Sequence, residues 1–178
     1  MHPSLERVVA DCRAATELAD PQAEVMAILE RATQDPAVGE AVAEQTEFES
    51  LEDLALHRSE SITVLTGALP PGFSAAPHNH NIWSVVGVCG GREDNQFFDR
   101  DGDGLRQTGE ASVIAPGVLA NDPDVIHAIR NPLDVPLLAL HAYGGDLFAT
   151  PRSTWDPDTH QEIPFDWNAV KSTQDGDP

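Results

Sequence analysis

Two imidazoles stand at i and i+2 in His78-Asn79-His80. In an extended strand such a pair points to one face, close enough to share a metal ion. The setting supports that reading. Gly72 lies six residues before His78, Pro70-Pro71-Gly72 reads as a turn, and an apolar strand with a glycine-rich end, IWSVVGVCGG, comes next. A third imidazole, His127, stands in the strand-like run VIHAI, and Asn131 comes four residues later. Further on, His141 and Tyr143 repeat the i, i+2 relation, and Tyr143 is the only tyrosine of the chain. If their shared face is the interior, the phenol can donate a hydrogen bond to a bound species, with His141 fixing its orientation. A second cluster is acidic: Asp99, Asp101, Asp103, Gly104 and, after five residues, Glu110 fit the D-x-D-x-D-G-x5-E calcium-loop pattern. Its flanks look like strands rather than helices, and Arg106 fills a slot that is normally apolar. The expectation is an acid-rich hairpin turn, in which Ca2+ would brace a loop at the rim without performing chemistry.

The elements that must position these residues fall into three zones. Within residues 5–45 the apolar residues Leu5, Val8, Val9, Cys12 and then Val25, Met26, Ile28, Leu29, Ala32 have helical spacing. Asp20-Pro21 and Asp35-Pro36 each offer an N-cap acid with proline at the first helical position. Two or three short amphipathic helices are expected over residues 1–50, packed on the β region. Residues 51–150 change to short β-like runs at 61–69, 82–89, 95–99, 110–115, 125–130 and 137–143, separated by Gly, Pro, Asn and Asp. Many short strands with no helix between them predict an antiparallel sandwich or barrel carrying the metal site. Residues 151–178 should wrap the surface as a tail and fray near Gln174.

Composition bounds the function. A chain of 178 residues is long enough for one well-buried core and too short for two ordinary enzyme domains. Thirty acidic residues against ten basic ones give a formal net charge of -20. A phosphate backbone or an anionic membrane face is repelled by such a surface, so nucleic acid and membrane are not expected partners. No run approaches the roughly 18 apolar residues of a membrane span, and the first residues turn polar too soon for a secretory signal. Cys12 and Cys89, the two cysteines, read as reduced thiols. The expectation is a soluble cytoplasmic protein, a monomer or small homo-oligomer.

G-x5-H-x-H from Gly72 to His80, with H-x3-N downstream at His127 and Asn131, resembles the two motifs of the cupin superfamily. Within it, the phrases PHNHNIWSVVGVCGGRE, DVIHAIRNP, LHAYGGDLF and the Arg of TPRSTWDP look like the thiol dioxygenases, the cysteine dioxygenase and 3-mercaptopropionate dioxygenase group. The likeness covers about residues 56–158. It implies a mainly β cupin double-stranded β-helix, or jelly roll, with a short N-terminal helical segment. It further implies His78, His80 and His127 as ligands of a mononuclear Fe(II), and His141 with Tyr143 as the second-sphere pair of a Ser-x-His-x-Tyr unit. Arg152 falls where the bacterial 3-mercaptopropionate enzymes carry their substrate-carboxylate arginine, and Arg58 where cysteine dioxygenases carry theirs.

Three departures mark this chain: Ala139 replaces the Ser of that unit, Asn79 replaces the acid between the paired imidazoles, and the usual cupin Glu after H-x-H is missing. The last is shared with the thiol dioxygenases and has a physical reading. Three neutral imidazoles leave the dication's full charge available for an anionic thiolate, and three open positions remain for substrate and O2. The implied reaction oxidises a small thiol to its sulfinate, with both oxygen atoms coming from O2. Cys89 stands five residues after Ser84, an odd offset that turns it away from Tyr143, so no thioether crosslink is expected. The competing readings are a cupin metalloenzyme acting on a non-thiol small molecule, and a noncatalytic metal- or ligand-binding cupin. His2, His57 and His160 are read as structural.

Overall fold

The computed structural model describes residues 1–156, 159, 161–167 and 171–172. Three helices open the chain: α1 (Pro3–Ala15), α2 (Pro21–Ala32) and α3 (Pro36–Ala43). Each begins with proline behind a capping side chain. Asp20 accepts from Ala23 N–H at 3.2 Å, Asp35 accepts from Ala37 N–H at 2.9 Å, and His2 does the same for Ser4. The His2-Pro3 start carries no acid, so the sequence offers no cap signal there. The helices bury Leu5, Val8, Cys12, Val25, Ile28, Leu29 and Ala32 in one cluster with Val64, Val85, Leu140 and Ala142 of the sheet beneath. Met26, expected on that apolar face, stands outside it and is exposed.

Among the described residues twelve strands come after the helices: β1 (Ala55–Arg58), β2 (Thr63–Leu69), β3 (Ser74–Asn79), β4 (Ser84–Gly90), β5 (Arg92–Asp101), β6 (Gly104–Ile114), β7 (Gly117–Asn121), β8 (Ile126–Arg130), β9 (Leu137–Tyr143), β10 (Ser153–Trp155), β11 (Glu162–Pro164) and β12 (Lys171–Ser172). One sheet runs β1-β2-β9-β4-β7, the other β11-β10-β3-β8-β5-β6, with β12 added to β3. All these pairings are antiparallel. Strands β2 to β9 thus divide between two sheets, in the orders 2-9-4-7 and 3-8-5-6, which is the strand order of a jelly roll. The fold is a cupin-type double-stranded β-helix with a helical layer on one outer face.

The six expected strands correspond to β2, β4, β5, β6, β8 and β9. The runs expected at 95–99 and 110–115 belong to a single long hairpin, β5–β6, which closes at Gly102 with φ of 60°. Of the rest, β3 holds the stretch read as extended at His78-Asn79, while β1, β7, β10, β11 and β12 were not anticipated because they are short and take their stability from neighbours rather than from their own pattern. The expected fraying near Gln174 lies outside the described residues, as does His160. Among the described residues, no helix is long and apolar enough to cross a membrane.

Helix α2 approaches the sheet closely at Gly87 of β4. A Cβ there would stand 3.1 Å from Thr33 Cγ2 and 3.2 Å from Leu29 Cβ. Gly87→Val should therefore push the helical layer outward. The expected cost is about 1–3 kcal/mol of unfolding free energy, read as a lower urea midpoint with an unchanged slope.

Candidate metal centre

The site is built by the pairing of β3 with β8, which sets His78 directly opposite His127. That register depends on an irregularity between Ala75 and His78, where β3 uses one residue more than its partner. Pro77 sits within it and has no N–H to give to the ladder. The extra residue reverses the strand's parity, so Ala75 and His78, three apart in sequence, both line the interior cavity. His80 comes directly after β3, and Asn81, with φ of 57°, then turns the chain in a conformation that asparagine tolerates.

The three rings converge. Centroids lie 5.1 Å apart for His78 and His80, 4.8 Å for His78 and His127, and 5.0 Å for His80 and His127. One nitrogen from each lies within 4.8 Å of the others. All three residues are buried. Loss of hydration holds the imidazoles below their ordinary proton affinity: His78 is lowered to about 4, and His80 and His127 fall well below the usual value, with repulsion among the rings adding to the effect. They are neutral, with lone pairs available. His78 Nδ1 lies 2.9 Å from Ala76 O, and a carbonyl can only accept, so this nitrogen carries the proton and Nε2 is the free ligand atom. His127 Nδ1 donates to Asn95 Oδ1 at 2.8 Å, and its buried Nε2 has no partner, nor has His80 Nδ1. Orphaned acceptors aimed at one point are what a cation would satisfy, so the donor set fits a divalent metal held by His78, His80 and His127.

Around them, Ala139, His141 and Tyr143 of β9 share the interior face as expected. With Leu65, Phe73 and Ile129 they line a mainly apolar cavity of about 60 Å³. The relation between His141 and Tyr143 differs from the expected one. Their rings are nearly parallel with centroids 6.4 Å apart, and His141 Nε2 faces Glu93 Oε2 at 3.7 Å rather than the phenol. Tyr143 packs instead against His80, centroid to centroid 4.9 Å. Burial pushes its phenol above the ordinary range, so it remains a proton donor near neutrality.

The arginines separate. Arg58 is exposed and held by Asp146, with Nε 2.8 and 3.0 Å from the two carboxylate oxygens, and it does not line the cavity. The substrate role expected of it is therefore corrected to that of a surface ion pair. Arg152 packs its guanidinium 3.5 Å from the Phe165 ring centroid, and Phe165 in turn lies 5.9 Å from the His78 ring. Among the described residues its guanidinium has no carboxylate partner, and desolvation lowers its proton affinity only to about 10, so it stays charged. Backbone clips fix its position: Asn81 Nδ2 donates to Pro151 O at 2.8 Å and Ser153 N–H to Asn79 Oδ1 at 2.7 Å.

The acidic pattern does not form a calcium cage. Asp99 stands opposite Arg106 and accepts from it at 3.2 Å, while Glu110 stands opposite Gln96, further along the ladder. Its carboxylates are spread along a hairpin, and among the described residues the three imidazoles are the group that converges. Asn131 is likewise no ligand. Its side chain donates to the carbonyls of Leu69, Pro70 and Val135 and accepts from Leu133 N–H, tying the β8–β9 loop to the β2–β3 turn. Cys89 lies toward the helices beside Gly39, on the side of the sheet away from Tyr143. Glu93, Asn95, Phe165 and Trp167 were not anticipated at the site. The first two sit with Phe97 at alternate positions of β5 and face inward, but REDNQFF is polar enough to pass for an outer strand.

No known family's sequence profile matches the chain, and no curated protein matches it. Solved structures that share its path include oxalate decarboxylase from Bacillus subtilis at pH 4.6, 16% identical over 65% of this chain with a TM-score of 0.42. An 11S globulin from Wrightia tinctoria is 13% identical over 53% of the chain, TM-score 0.43, and the recombinant pro-11S globulin of pumpkin 21% over 48%, TM-score 0.41. The chain spans about a quarter of those proteins' length, 24%, 22% and 22% respectively. The fold assignment rests on the strand order itself.

His80→Ala should yield protein that retains its fold by circular dichroism but carries no bound metal by elemental analysis. Metal-free protein should gain stability as pH rises from about 4 to 6.5. Over that window the unfolded chain protonates His78, His80, His127 and His141, whereas the folded one keeps them neutral. Glu93, raised to about 7 by burial, works the other way between its ordinary value and 7, but it is one group against four. Chemical unfolding at a series of pH values measures the slope, and a flat or falling curve would show that the rings are not buried neutral.

Proposed function

We propose that the protein is a mononuclear non-haem iron thiol dioxygenase that converts a small carboxylate-bearing thiol into its sulfinate. The observation that carries this reading is an arginine, without a carboxylate partner among the described residues, at the mouth of a buried three-imidazole site. The overall change, R–SH + O2 → R–SO2H, places both oxygen atoms of O2 on sulfur and needs no further reductant. A ferrous ion on His78, His80 and His127 would supply a site where thiolate and O2 meet. Three neutral ligands leave its charge unreduced, which suits an anionic sulfur.

The chain's own residues supply the rest. Arg152 presents a charged fork with no carboxylate partner among the described residues, the geometry that recognises a carboxylate. Its stacking on Phe165 limits the entropy lost on binding. Tyr143, the sole protonated phenol in the cavity, can donate a hydrogen bond to the polar end of the substrate or to oxygen. Phe165 and Trp167 line the interior cavity and also the open trough outside it, so they stand between the two and restrict water. A cavity of about 60 Å³ favours a substrate whose reacting end is only a few heavy atoms. Ala139 in place of a hydroxyl removes one donor from β9 and leaves Tyr143 as the polar group above the metal.

Oxygen uptake by anaerobically purified, iron-loaded protein with cysteine, 3-mercaptopropionate, cysteamine and mercaptosuccinate tests the reading. Consumption with sulfinate formation supports it. Uptake only with a thiol-free substrate points to another cupin chemistry, and no turnover with any metal points to a binding protein. Arg152→Ala should raise KM for the carboxylate thiols about 10- to 100-fold, the worth of a charge-assisted hydrogen bond. KM for cysteamine should hardly change. Equal effects on both would remove the clamp.

A further inference from the structure

Among the described residues Glu93 is the one carboxyl buried in the barrel, 0% exposed, and nothing in the imidazole site calls on it directly. Its Oε1 accepts from Asn95 Nδ2 at 3.0 Å. In that hydrogen bond the Asn95 amide nitrogen faces the carboxyl and its oxygen faces away. The oxygen then accepts from His127 Nδ1 at 2.8 Å. An acceptor at Nδ1 requires the proton to sit there, so His127 is held as the tautomer whose bare Nε2 faces the other two imidazoles. The opposite amide orientation would put an N–H against Nδ1 and drive the proton to Nε2, where it would block a metal. The Phe97 ring lies nearly parallel to that of His127, at an interplanar angle of 12° with centroids 6.5 Å apart.

The second oxygen, Oε2, is buried without a hydrogen bond and lies 3.7 Å from His141 Nε2. One carboxyl therefore reaches the third imidazole through Asn95 and lies beside the β9 histidine.

We propose that Glu93 and Asn95 are positioning residues of the metal centre: the carboxyl orients the amide, and the amide fixes the His127 tautomer. This rests on the reading of His78, His80 and His127 as metal ligands, but its first consequence concerns metal-free protein. The chain acts through hydrogen-bond polarity, and that polarity can be reversed in sequence without changing shape. Asn95→Asp with Glu93→Gln exchanges carboxylate and amide. The new amide nitrogen donates to the new carboxylate, which still accepts from His127.

The test uses the full chain with Zn(II) and Co(II) as probes. In metal-free wild type, nitrogen-resolved NMR of the imidazoles should show His127 protonated at Nδ1, and Asn95→Leu should lose that preference. Competition against a chelator should show Zn(II) bound about 10- to 100-fold more weakly by Asn95→Leu. The exchanged double variant should recover wild-type affinity and the wild-type Co(II) absorption spectrum, which packing alone would not restore. His127 protonated at Nε2 in the wild type overturns the proposal. So does Zn(II) affinity unchanged in Asn95→Leu, or, should that variant fail to fold, a folded double variant with weakened metal binding. Failure of wild type to bind either metal while His127 is protonated at Nδ1 overturns the metal reading and leaves the tautomer assignment standing.

Discussion

Three neutral imidazoles are held edge to face or tilted with their lone pairs converging, and the barrel is organised around keeping them so. Each buried acceptor left without a partner costs about 1–3 kcal/mol, and the rings stay together because the strands carrying them are fixed by other bonds. His78 and His127 are opposed across the β3–β8 ladder, so neither can move without breaking a sheet in which β8 also pairs with β5. The opposite sheet is fixed as firmly. β9 lies between β2 and β4 and projects Ala139, His141 and Tyr143 across the cavity. The helical layer seals its outer face with buried Val25, Leu29 and Val42. The stability of the jelly roll thus keeps open a set of unsatisfied lone pairs that a cation would relieve, which couples metal affinity to the integrity of the whole barrel.

The segment that carries Arg152 is governed from the same strand. Thr154 stands opposite His78 in the β10–β3 pairing, its hydroxyl donates to Pro77 O at 2.8 Å, and Asn79 and Asn81 clip the residues on either side of Arg152. Imidazoles of this stretch face inward, while its other side chains grip the chain that supplies the mouth. An amide at position 79 suits this geometry. Asn79 is buried and accepts a backbone N–H, and an amide oxygen does so without the cost of burying a charge. Asn79 thus serves to anchor the chain that carries Arg152.

Local pattern carried much of this. The i, i+2 imidazoles, the inward face shared by Ala139, His141 and Tyr143, the proline-led helices with their aspartate caps and six of the strands are all legible because each depends on neighbours in sequence. What could not be read depends on register or on distant partners. The extra residue at Ala76-Pro77 determines that Ala75 and His78 share a face, and no periodicity contains it. Glu93 and Asn95 look like solvent-facing residues until β5 is placed beside β8. The calcium-loop pattern misled in the opposite direction: the residues match at every position, but Asp99 and Glu110 belong to opposing strands whose register keeps them apart. Arg58 and Arg152 are indistinguishable by type, and only the tertiary position of Asp146 decides which of them is already occupied.

The acid excess bears on the substrate less than a formal net charge of -20 suggests. Charges beyond a screening length of about 8 Å at physiological salt contribute little to the potential felt by a small molecule, and the acids of the β5–β6 hairpin lie along an exposed arm. At the mouth, Arg152 stands partly desolvated, where its interaction with an anion is stronger than it would be in water. The nearby Glu52 adds an opposing charge to which Arg152 is sensitive, but Glu52 is exposed and solvated. A small anion entering here would meet one guanidinium set among the trough's carboxylates, Glu52, Glu162 and Asp166. The surplus of acids elsewhere affects the rate of encounter more than the choice of ligand.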